Sequence, residues 1–142
     1  MARTLCRWLM LVALMSVTGT TKAAAECITL FFSPREYLAA AALVFVGDIQ
    51  KIETVIPESE SEPSFYRVRA RVREAYKGIE VGERTFDVQA TAEDVKLEEG
   101  RLMLVYAFRN PRGRFHTQCS PTRRTALDDP ELETLRRASA AR

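Results

Sequence analysis

Histidine is scarce in this chain: His116 is the only one in 142 residues. A zinc cluster or an acid–base pair built on two imidazoles is therefore excluded. No serine stands as an evident nucleophile for the single imidazole either, since Ser120 runs straight into Pro121 with no base beside it. The six glycines are scattered singly, which rules out a phosphate-cradling loop. Three cysteines, Cys6, Cys27 and Cys119, lack the two-residue spacing of a redox or zinc motif. Trp8 is the only tryptophan, and no internal repeat is visible. The apolar run at 8–17 is too short to cross a hydrocarbon core of about 30 Å. Net charge is small, +2 for the whole chain, so no polyelectrolyte character points to nucleic acid. Paired acids such as Glu98-Glu99 and Asp128-Asp129 fall at a turn and a helix start, where a carboxylate needs no catalytic purpose.

What is present begins with a leader. Arg3 and Arg7 form a positive n-region, residues 8–17 an apolar h-region, and Ala23-Ala24-Ala25 a small-residue cleavage site. Residues 1–25 are thus expected to be a secretory signal peptide, and the mature chain to start at Glu26. An acidic residue just before Cys27 argues against lipid attachment, so free export, to the periplasm or outside, is expected with no stable membrane anchor after cleavage. Loss of Arg3, Arg7 and Lys22 takes the 21 basic residues to 18, against 19 acidic ones. Cleavage of 25 of the 142 residues leaves 117, enough for one domain. That domain is expected over 26–138, with 139–142 as a disordered tail. Cys27 and Cys119 then remain as a pair. In an oxidising compartment a bridge between them is the expected state, worth about 4 to 5 kcal/mol on the chain-entropy model, with two free thiols as the alternative.

Local signals lay out a mainly β chain. Ser33-Pro34-Arg35-Glu36 combines an N-cap serine, a proline at N1 and a glutamate at N3, which predicts a helix over 34–42. Residues 43–52 are rich in branched and aromatic side chains, with Gly47 marking a bulge or bend. Residues 57–64 form an acidic, mobile loop. In 65–75, Tyr66, Val68, Ala70 and Val72 alternate with Arg67, Arg69, Arg71 and Arg73, which puts four guanidinium groups on one face. That stripe is either a polyanion-binding face or a solvated face paired with acids such as Glu53, Glu74 and Asp87. Residues 83–91 alternate again, and 102–108 are apolar on both parities, predicting the most buried strand. A turn at Asn110-Pro111-Arg112-Gly113 and a returning strand over 114–119 follow, with His116 a partly exposed sheet residue. Asp129-Pro130-Glu131 opens a second helix with Leu132, Leu135 and Ala138 on one face. Five strands with short N-terminal and C-terminal helices suggest a Greek-key barrel of the oligonucleotide/oligosaccharide-binding (OB-fold) type.

Several strings, taken in order, resemble the netrin-like domains. They are the exported N-terminal cysteine, Leu43-Val44-Phe45-Val46-Gly47, Tyr76-Lys77-Gly78, Gly100 with Leu104-Val105-Tyr106-Ala107, and Thr117-Gln118-Cys119-Ser120-Pro121-Thr122. The nearest likeness is to the bacterial proteins similar to tissue inhibitors of metalloproteinases. The resemblance implies a five-stranded barrel, export and protein binding rather than catalysis. In the inhibitors a mature chain beginning Cys-x-Cys chelates the protease zinc through its first residue, which a disulfide holds in place. Here Ala25 stands where that first cysteine would be, and 92–100 carries no partner for it, whereas Cys27 and Cys119 match the second bridge.

The expected function is accordingly an exported, non-catalytic binding module with weak or absent metalloproteinase inhibition. Its expected partner is a protein of the export compartment, proteases included; no nucleic acid, cofactor or metal is expected. Ile28, Phe31 and Phe32 are the candidate partner-binding residues, since two consecutive aromatics cannot both face one core. A polyanion or carbohydrate binder using Arg67, Arg69, Arg71 and Arg73 together with Arg112 and Arg114 is the rival. A third reading, an active inhibitor, requires that Glu26 be trimmed so that Cys27 becomes the first residue.

Overall fold

The structure, a computed structural model, describes residues 33–90 and 96–141. The expected signal peptide, Cys27, Ile28, Phe31 and Phe32 lie outside the described residues. Helix α1 (Pro34–Ala40) starts as its sequence requires: Glu36 Oε2 accepts the Ser33 N–H at 2.6 Å while the Ser33 hydroxyl accepts the Glu36 N–H at 3.4 Å. It stops two residues earlier than expected, with Ala41 as an extended C-cap. Strands β1 (Leu43–Val55) and β2 (Phe65–Lys77) form a long antiparallel hairpin, followed by β3 (Gly82–Gln89) and β4 (Leu102–Arg109). Two short strands, β5 (Phe115–His116) and β6 (Arg123–Arg124), precede α2 (Pro130–Ala140).

β1 pairs with β2 on one side and, along 43–48, with β4 on the other. β2 pairs with β3, β3 meets β5 in parallel at Val88 and Phe115, and β5 returns antiparallel to β4. The ring β1-β2-β3-β5-β4 therefore closes on itself as a five-stranded OB-fold-like barrel, and β6 adds to the edge of β4. Closing so few strands requires sharp curl, which β1 takes up in three register shifts against β2. One falls between Val46 and Gly47, and a Cβ on Gly47 would stand 2.6 Å from the Arg71 carbonyl oxygen. Glycine is required there because the two backbones approach too closely for a side chain.

The strands carry two cores. Leu43, Phe45, Ile49, Val68, Ala70, Val72, Phe86, Val88, Met103, Val105 and Ala107 fill the barrel, with Leu97 from the loop before β4. Val44, Val46, Leu104 and Tyr106, on the opposite parity of β1 and β4, pack outward against Leu38 and Ala41 near α1 and Leu132 and Leu135 of α2. This double burial explains the apolar run on both parities of β4, where Met103 through Ala107 are all buried.

Two local expectations change. The returning strand is two residues long rather than 114–119, because the chain turns after His116: Ser120 donates its N–H to the Thr117 carbonyl at 3.1 Å, and Cys119 adopts φ +56°. α2 continues through Ser139 and Ala140, two residues into the stretch expected to fray. Among the described residues no helix is long and apolar enough to cross a membrane.

Candidate functional site

The barrel interior is occupied by side chains. Phe45 and Phe86 meet edge-on with centroids 5.7 Å apart, and Phe86 meets Phe115 at 6.2 Å. Any ligand surface must lie on the outside or at the rim.

The β2 arginine stripe faces outward, and three of its four members are matched by carboxylates on neighbouring strands. Arg67 makes a two-pronged contact with Asp87 at 2.9 and 3.1 Å, across the β2–β3 register. Arg71 holds Glu83 at 2.6 Å and Arg73 holds Asp48 at 2.6 Å. These partners hold the Glu83 carboxyl below its usual range and raise the guanidinium groups of Arg67 and Arg71. Arg69 has no ion pair among the described residues. The expected partner Asp87 is in place, whereas Glu53 pairs with Lys51 and Glu74 with Arg136.

A second cationic region takes in the expected Arg112 and Arg114, and strand periodicity did not show its other members because it assembles across the barrel rim. Phe65 on β2 lies opposite Gln89 on β3, Phe115 on β5 lies beside Val88, and Arg109 on β4 lies opposite Phe115. The Arg109 guanidinium sits 5.0 Å from the Phe115 centroid, and that of Arg114 sits 4.1 Å over Phe65. Asn110 organises the turn beside them: its Oδ1 accepts the N–H groups of Arg112 and Arg114 at 2.9 and 3.0 Å, and its Nδ2 donates to Gln89 at 2.9 Å. Arg114 reaches across to the β1–β2 loop, donating to the Pro63 carbonyl at 3.1 Å and to Glu62 at 3.3 Å. That loop, expected to be mobile, is thus tied to the rim. Between loop and turn lie two adjoining shallow clefts of about 270 and 300 Å³, which share Pro63, Arg112 and Arg114 as lining. An asparagine opening a turn with Arg112 inside it and Arg114 just after it was the available sequence signal. The aromatic stacking needed the strand register.

His116 is half-buried on β5, tilted against Phe108 at 5.8 Å, and its Nδ1 is buried without a hydrogen-bond partner. Ser120 donates its hydroxyl to Thr122 at 2.7 Å, part of a buried knot that ends on the Tyr106 backbone. Cys119 is disulfide-bonded, and its partner lies outside the described residues. Among the described residues, no group of three His, Cys, Asp or Glu side chains is placed to hold a metal ion.

Comparison of the sequence with protein-family models and with curated proteins gave no match.

Proposed function

We propose that this chain is an exported, non-catalytic binding module of the netrin-like kind, which binds a protein on the outside of its barrel. The packed interior carries this reading: with Phe45, Phe86 and Met103 filling the ring, recognition falls to the rim loops and outer faces. The disulfide at Cys119 supports an oxidising compartment. The netrin-like assignment rests on the ordered strings from Leu43 to Thr122 and on the five-stranded barrel that they build. The matched arginines on β2 weigh against the polyanion alternative, since a stripe already paired with Asp48, Glu83 and Asp87 offers little unspent charge.

Zinc chelation of the inhibitor type needs a free α-amino group and its own carbonyl held rigidly together, because a loose terminus spends binding energy on its own ordering. Cleavage after Ala25 places Glu26 first, ahead of the nearest cysteine. Mature protein with a sequenced N-terminus, assayed against zinc endopeptidases, is expected to inhibit weakly or not at all. Nanomolar inhibition by a chain starting at Glu26 would overturn this reading. The same potency from a chain starting at Cys27 would identify a trimmed, active inhibitor. Immobilised mature domain is expected to retain a discrete protein from the exported fraction, and retention on heparin in place of any protein would transfer the assignment to the polyanion class.

A further inference from the structure

We propose that the rim cleft between the 56–64 loop and the 110–113 turn seats a single carboxylate side chain, aspartate or glutamate, presented by the protein partner. The inference rests on the protein-binding reading and adds to it a place and a chemistry. Four arginines, Arg67, Arg109, Arg112 and Arg114, gather at this rim, and two of them, Arg109 and Arg112, make no ion pair among the described residues. Arg114 is paired only through a 3.3 Å contact with Glu62, longer than the 2.6 to 2.9 Å contacts that match Arg67, Arg71 and Arg73 along β2. Apart from Arg69 on β2, the unspent positive charge along this side of the barrel is therefore gathered next to the turn.

The cleft is also preorganised. The Arg114 side chain is 19 % exposed, laid on the Phe65 ring and pinned by the Pro63 carbonyl, so its guanidinium is partly desolvated and fixed in direction. Asn110 locks the turn to Gln89 and to two backbone N–H groups, which sets the base of Arg112 without engaging its head. A planar guanidinium fork matches a carboxylate with two parallel hydrogen bonds, and holding it in place beforehand lowers the ordering cost of binding. A volume of about 300 Å³ accommodates a side chain rather than a run of sugar rings. A densely sulfated chain is disfavoured further because Glu62 lines the wall, with Glu58 and Glu60 on the same loop. A lone acidic residue between neutral neighbours brings one charge against Glu62 rather than many, and its carboxylate competes with Glu62 for Arg114 while Arg112 stands unpaired.

The test is a nuclear magnetic resonance titration of isotope-labelled mature protein with acetyl-Ala-Glu-Ala-amide, its Gln counterpart and a heparin-derived oligosaccharide. The Glu peptide is expected to shift the resonances of Gln89, Asn110, Arg112 and Arg114. Its affinity should fall at least fivefold in Arg112→Gln and stay unchanged in Arg69→Gln. Both side chains are exposed, so neither variant disturbs folding. Equal shifts from the Gln peptide, shifts centred on the β2 arginines, an Arg112→Gln variant that binds as wild type, or a preference of the cleft for the oligosaccharide each overturn the proposal. Undiminished capture of a protein partner by Arg112→Gln also overturns it, while leaving the protein-binding function intact. Peptide binding in the cleft with no protein captured by the wild-type domain supports the carboxylate seat and counts against the wider function.

Discussion

The buried hydroxyl of Thr122 accepts the Tyr106 N–H at 2.9 Å and donates to the Tyr106 carbonyl at 3.1 Å. Along that edge of β4, β6 pairs at Met103 and Leu104 and β5 pairs at Phe108 and Arg109, so the Thr122 side chain fills the gap where no strand lies. Thr122→Val keeps the shape and removes both contacts, leaving a buried backbone donor and acceptor unsatisfied. It is expected to cost about 1 to 3 kcal/mol in urea unfolding, and an unchanged midpoint would show that water replaces the hydroxyl. Gly47→Ala tests the other close approach. With the Arg71 carbonyl 2.6 Å from the new Cβ, the two strands must separate, and a loss of about 1 to 3 kcal/mol is expected from overpacking. The first effect could not be seen in the sequence, where Thr-Gln-Cys-Ser-Pro-Thr offers only polar residues near a proline. The second was foreseeable, because a glycine amid apolar, mostly branched neighbours rarely stands in a strand without a bend or a crowded backbone.

Elements set by local chemistry were the ones readable in advance. The capping box of α1, the Asp129-Pro130 start of α2, the alternation of β2 and the double-sided β4 all follow from neighbours within a few residues. β5 and β6, at two residues each, are too short to carry a period, and they exist because β4 offers them an edge. Ion-pair partners follow register rather than composition: Glu74 serves α2 instead of the arginine stripe. Its carboxylate takes a two-pronged contact from Arg136 at 2.8 Å on each oxygen and the Tyr76 hydroxyl at 2.9 Å, which fastens α2 to β2. The Arg136 contact holds the Glu74 carboxyl below its ordinary 4.5, despite the opposing effect of partial burial. Burial raises the Asp129 carboxyl, but the Glu131 N–H, Thr125 hydroxyl and Arg123 outweigh it and hold the group below 3.8. In both cases the unfolded chain takes up the proton first as pH falls. The stabilisation is therefore complete above about pH 4.5 and is lost as pH drops through the lower folded values. Urea midpoints measured from pH 6 down to pH 2 should decline more gently in Glu74→Gln, whose stability at neutral pH is already reduced. A parallel decline would remove Glu74 from the account.

At the scale of the whole molecule, both helices lie on the outer core formed by Val44, Val46, Leu104 and Tyr106, while the rim cleft is built from the β1–β2 loop and the turn after β4. The outer core holds the helices to the barrel through apolar packing, reinforced where the Tyr106 hydroxyl donates to Glu131 at 2.6 Å. The segment before α1 carries Cys27, Ile28, Phe31 and Phe32. On the proposed export, Cys6 leaves with the leader and Cys27 is the one intramolecular partner for Cys119. Such a bond closes a loop spanning nearly the whole domain, so the unfolded chain loses about 4 to 5 kcal/mol of conformational freedom on the chain-entropy model. Peptide mapping of mature protein without reductant is expected to find Cys27 and Cys119 in one linked fragment, and Cys119→Ser is expected to unfold at markedly lower urea and to accumulate poorly after export. Recovery of both residues as free thiols, or a Cys119→Ser midpoint equal to wild type, would remove the Cys27–Cys119 staple from the account.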